Sequence, residues 1–72
     1  MKVKIKGIYK HFKGNLYIVE DIACNSETLE DMVIYRALYG DNKLWVRPLK
    51  EFVEEVNKNN PQYRFELENL KN

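Results

Sequence analysis

The side chains best equipped for chemistry gather around one short stretch, "LYGDNKLWVRPL", residues 38–49. Trp45 and Arg47 lie within it, beside Leu38, and Arg36 lies just before it. A guanidinium presents a planar fork of donors that matches a carboxylate or phosphate, and an indole offers a flat face for a ring or a cation. Together these types suit recognition of an anion, not bond making. Other constellations are sparse. His11 and Cys24 are the sole His and Cys. A thiol-imidazole dyad needs the two in hydrogen-bond contact with a third group orienting the ring, which nothing in their spacing indicates. One His and one Cys also fall short of the four N/S ligands of a usual zinc site. Gly7, Gly14 and Gly40 are scattered, so no phosphate-cradling loop exists. No catalytic residue, metal or cofactor is therefore expected, and the chain is read as no enzyme.

These groups must be positioned by strands. Val3 and Ile5 alternate with Lys2, Lys4 and Lys6, which predicts an edge strand with a lysine-lined outer face; contact of those lysines with phosphates is the functional alternative. Gly7 marks a bend or bulge, "KGN" at 13–15 a turn, and "LYIVEDIA" a second strand. The polar run "NSETLED", residues 25–31, connects it to "MVIYRALY", dense in β-branched and aromatic residues. After "GDN" comes "KLWVRP" as a fourth strand. Leu49, Phe52, Val53 and Val56 then follow helical spacing, with Pro48 just inside the helix start. Lys58 follows Glu54 by four, a favourable helical pair, and Glu51, Glu54 and Glu55 form a solvated face. Tyr63, Phe65 and Leu67 alternate in a last strand. The fold class predicted is mainly β: a small SH3-like five-stranded barrel with one short helix before the last strand, a single domain over residues 1–72.

A turn centred on Asp41 and Asn42 sets the faces. It pairs Tyr39 with Leu44, Ala37 with Val46 and Tyr35 with Pro48, an apolar face that should be the core. The opposite face then pairs Leu38 with Trp45 and Arg36 with Arg47. Two arginines directly opposite each other repel unless an anion lies between them. Arg36, Leu38, Trp45 and Arg47 are thus the candidate binding residues. The structural alternative is that Glu20, Asp21, Glu27 or Glu30 bridges the arginines while Trp45 packs under a loop. A three-residue loop with a bulge would exchange the faces.

Several blocks in order, "YKHFKGNLYIV", "NSET", "VIYRALYG" and "LWVRPL" followed by Phe52, resemble a small family catalogued as domain of unknown function 1653 (DUF1653). The resemblance runs to about residue 56 and implies an SH3-like barrel with no established activity. In that family a His often precedes the Ser-Glu-Thr; here the position is Asn25, so no catalytic or metal role for such a His carries over.

Composition bounds the rest. The chain has 72 residues, 44% of them hydrophobic and 32% charged, which is globular and near the lower size limit for one core. Such a core supplies roughly 3–5 kcal/mol, so partners or self-association can matter. Net charge is +1, yet Lys2, Lys4, Lys6, Lys10 and Lys13 precede the first carboxylate, Glu20, leaving −4 for the remainder. A strongly basic nucleic-acid binder is not indicated. No run approaches the ~20 apolar residues of a membrane span, and the lone Cys24 fits a reducing, cytoplasmic setting. The expected function is a non-catalytic binding module for a peptide or protein partner. The competing expectation is a small-molecule binder of an anionic ring compound such as a nucleotide, possible across a homodimer.

Overall fold

In the computed structural model, residues 3–57 and 59–68 are described. Lys2 and Lys58 lie outside them, and with them the expected Glu54–Lys58 pair. Five strands form one antiparallel sheet in the order β4-β3-β2-β1-β7: β1 (Ile8–His11), β2 (Leu16–Cys24), β3 (Asp31–Ala37), β4 (Leu44–Pro48) and β7 (Phe65–Leu67). Helix α1 (Leu49–Phe52) follows β4, and β5 (Glu55–Asn57) and β6 (Gln62–Tyr63) make a separate two-stranded ribbon. Four strands, a short helix and a last strand are as expected, but the β5–β6 ribbon was not, and it takes Tyr63, which the sequence placed in the last strand with Phe65 and Leu67. The barrel is not closed: β4 and β7 stand at opposite edges of the sheet and do not pair.

Alternation along the two central strands buries one face. Val33, Tyr35 and Ala37 of β3 are buried, as is Val19 of β2, which pairs with Tyr35. A bulge between Val19 and Asp21 turns the β2 backbone where Glu20 reaches the outer side. The core gathers Tyr9, Val19, Val33, Tyr35, Phe52 and Phe65, with Val3, Tyr17, Leu49 and Val53 packed against it. Phe52 stacks on Phe65 at 4.1 Å and meets Tyr9 and Tyr35 edge-on at 5.3 and 5.4 Å. The predicted helix stripe is real in its burial, but the helix is one turn. Val53 caps it, and Glu55–Asn57 turns into β5, whose ribbon with β6 leads to Phe65.

The predicted strand at Val3–Ile5 is not formed. Lys6 has φ of 68°, and Gly7 N–H donates to Lys4 C=O at 3.0 Å, closing a turn. Only glycine fits at position 7, because a Cβ there would lie 2.9 Å from the Lys4 carbonyl oxygen and 3.0 Å from Leu67 Cδ1. Lys6 stays exposed there and pairs with Glu20 at 2.6 Å.

Candidate functional site

The loop before β4 decides which face each candidate occupies, and it differs from the predicted turn. Ala37 N–H donates to Lys43 C=O at 2.9 Å, so residues 38–43 all lie in the loop. Gly40 and Asn42 take left-handed φ of 58° and 57°, conformations open to glycine and tolerated by asparagine. Asn42 fastens the loop by donating from Nδ2 to Ala37 C=O at 2.9 Å. The resulting register pairs Tyr35 with Trp45, Val33 with Arg47 and Arg36 with Leu44. That is an odd shift from the predicted pairing, and an odd shift inverts a strand's faces.

Arg36 and Arg47 therefore do not oppose each other. Trp45 and Arg47 move to the inner face with Tyr35 and Val33, while Leu44 and Val46 join Arg36 outside. Leu38 stays exposed in the loop, its N–H donating to Leu16 C=O at 2.9 Å. On the outer face, Arg36 Nε donates to Glu20 Oε2 at 3.0 Å and Nη1 to the Asn42 carbonyl at 3.0 Å. Glu20 also accepts from Lys6, and these two cations hold its carboxyl below the usual range. Glu20 is one of the carboxylates considered as a bridge from the sequence.

Arg47 is bonded quite differently. Its Nε donates to the Tyr35 hydroxyl at 3.3 Å, and the nearest carboxylate oxygen, on Glu51, lies 3.7 Å from Nη1, beyond a good hydrogen bond. Its terminal amino groups make no hydrogen bond among the described residues. Around it runs a series of aromatic rings at the open end of the sheet. Tyr17 meets Tyr35 at 5.3 Å and Tyr39 at 5.6 Å, and its hydroxyl hydrogen-bonds that of Tyr39 at 2.8 Å. Burial and that hydrogen bond push the Tyr17 hydroxyl up to about 12, partly opposed by the Arg47 charge. His11 packs on Phe65 at 4.9 Å and near Tyr17 at 6.4 Å. Burial, then Arg47, Arg64 and Lys13, lower its pKa. Trp45, 44% exposed, stands on the rim with the Lys43 ammonium 5.3 Å from its ring.

The family model for a protein of unknown function, DUF1653, matches residues 7–67. This chain belongs to the DUF1653 family. A crystal structure of a DUF1653 protein from Bordetella bronchiseptica is similar, with 35% sequence identity and a TM-score of 0.72, over 83% of this chain and 81% of that one. No curated protein matches.

Within this DUF1653 chain, the sites weighed from sequence separate cleanly. Cys24 is exposed at the far end of β2, while His11 lies near Tyr17 at its beginning, a separation on the order of 20 Å along an extended strand. They form no dyad. Glu54 is exposed, as expected, and accepts from Arg64 Nη2 at 2.8 Å, while the Arg64 Nε is buried without a partner among the described residues. A cavity of about 190 Å³ opens beside His11, lined by Lys10, Phe12, Gln62, Tyr63 and Glu66, whose opposite charges give it no clear ligand preference. Sequence reasoning missed His11 and Tyr17, which feel the Arg47 charge, and Tyr39, which bonds the Tyr17 hydroxyl. Their positions, two at strand ends and one in a loop, were legible, but their convergence depends on the loop length.

Proposed function

We propose that this chain is a non-catalytic binding module that recognises an extended segment of a peptide or protein partner along β4, using Trp45 and Arg47 as its aromatic and cationic anchors. The observation that carries this reading is the state of that edge strand. Leu44, Trp45 and Val46 are exposed at 49%, 44% and 60%. Because the Ala37 N–H bonds to the Lys43 C=O and Arg36 faces Leu44, the alternation of an antiparallel ladder turns the N–H and C=O groups of Leu44 and Val46 away from β3. Those groups are available to an added strand, and flanking side chains on alternate faces would supply selectivity. Pro48 offers no donor, which limits the addition to the start of the strand. The exposed Cys24 suits a reducing compartment, consistent with a cytoplasmic module.

Selection from a displayed random-peptide library tests the reading. Enriched peptides should bind the wild type and lose binding to Trp45→Ala and to Val46→Pro. The proline removes only an outward donor, so the melting curve should stay close to wild type. Failure to enrich any peptide, or binding indifferent to both variants, would overturn the reading. A rise in Tm with a panel of nucleotides, in the absence of peptide binding, would favour the small-anion alternative by mass action on the folded state.

A further inference from the structure

The open end of the sheet holds donors without matching acceptors, and this names a ligand chemistry. We propose that the mouth formed by His11, Tyr17, Tyr39 and Arg47 is a carboxylate subsite for the partner segment, taking an acidic side chain or a free C-terminus. The inference rests on the binding-module reading and adds to it the group that Arg47 would hold.

Three observations converge. First, the Arg47 terminal amino groups make no hydrogen bond among the described residues, and Glu51, 46% exposed at 3.7 Å, is free to swing aside. Second, Tyr17 and Tyr39 share a single hydrogen bond between two hydroxyls, so one phenolic proton remains to be donated. Third, His11 Nδ1 accepts the Lys13 N–H at 3.2 Å, which leaves Nε2 to carry the proton of the neutral ring. Every one of these groups is a donor.

The charge state selects among anions. Arg64 is already paired with Glu54, and burial together with neighbouring cations disfavours a charged His11. Arg47 has its nearest carboxylate oxygen, on Glu51, at 3.7 Å, beyond a good hydrogen bond, and its planar fork fits a planar carboxylate in bidentate fashion. A phosphate dianion would call for a second cation. The aromatic wall of Tyr17, Tyr35 and Phe65 partly excludes water, which strengthens such a bond.

Four probes separate the possibilities by NMR of the His11, Tyr17 and Tyr39 rings: N-acetylglycine for a chain terminus, N-acetyl-aspartyl-N-methylamide for a side chain, neutral N-acetylglycinamide, and inorganic phosphate. Saturable shifts with one or both carboxylates are expected, the tighter naming the source, with none from the amide. A saturating carboxylate should also raise the His11 pKa, since an anion favours the imidazolium. Arg47→Lys should weaken binding about tenfold or more through loss of the fork, and Arg47→Gln should abolish saturation. If Arg47→Gln does not fold, Arg47→Lys decides. Equal shifts from the amide, tighter binding of phosphate, or unchanged binding in Arg47→Lys would overturn the proposal. Selected peptides that lose affinity with Val46→Pro yet keep it with Arg47→Lys would overturn this subsite alone and leave the binding module standing.

Discussion

On the outer face, Arg36 has its donors directed to Glu20 and to the Asn42 carbonyl, each at 3.0 Å; at the inner mouth, Arg47 touches one tyrosine hydroxyl and no carboxylate at hydrogen-bond distance. The two residues share a chemistry and sit on adjacent strands, yet their surroundings assign them different work. Arg36 organises the protein itself: it ties β3 to the β2 bulge and to the loop that sets the β4 register. Arg47 is held at its Nε by Tyr35, while its terminal amino groups make no hydrogen bond among the described residues and have Glu51 at 3.7 Å, the state that the proposed carboxylate site requires. The contrast teaches that residue type marks a candidate, and that only the local balance of donors and acceptors distinguishes a structural ion pair from a recognition group.

The largest expected effect removes the floor on which the mouth is built. Phe52→Ala deletes a ring 1% exposed and stacked on Phe65, and should cost about 3–5 kcal/mol. That equals the whole margin of so small a domain, so circular dichroism should show a largely unfolded chain. A cooperative melt near that of the wild type would mean the helix does not close the core.

Substitutions of the two arginines sharpen the comparison. Arg47→Lys should lower affinity for a selected peptide about tenfold or more while folding survives. Arg36→Met should leave that affinity unchanged and cost about 0.2–1 kcal/mol in chemical denaturation, since the exposed pair is weak and Glu20 keeps Lys6. The mutual repulsion expected from sequence is absent, so neither change should stabilise the protein by relieving it.

Acid titration gives the smallest effects. Lys6 and Arg36 depress the Glu20 pKa in the folded state, so its contribution is complete above the ordinary value of 4.5 and is lost as pH falls through the lowered one. Glu20→Gln should flatten the fall in Tm over that window. For His11 the lowered pKa likewise means unfolded chains bind more protons, and stability should decline as pH drops below 6.5. His11→Gln should remove that decline, and an undiminished slope would show that other groups cause it.

The strands were largely legible because their burial alternates. Val33, Tyr35 and Ala37 share a face in the expected hairpin and are buried, whereas Tyr39, Leu44 and Val46, expected on that same face, are exposed; Phe52 read as the anchor of the helix stripe. The face of β4 was not legible, because "LYGDNKL" allows several loop lengths and each odd step inverts the strand. Here Gly40 and Asn42 both accept left-handed backbone and lengthen the loop. The turn at Lys6 escaped notice for a similar reason: a lysine at positive φ leaves no mark in a Val-Lys alternation. The aromatic neighbours of Arg47 come from three separate segments, and only tertiary pairing joins them.

We propose that Arg47 is reserved for a ligand, whereas Arg36 serves the fold through its bonds to Glu20 and Asn42. Guanidinium denaturation of Arg47→Met beside wild type, with peptide affinity measured on the same two samples, tests it most directly. Stability within about 1 kcal/mol of wild type, together with loss of peptide binding, is the predicted result. A larger loss of stability, or binding that persists without the guanidinium, would contradict it.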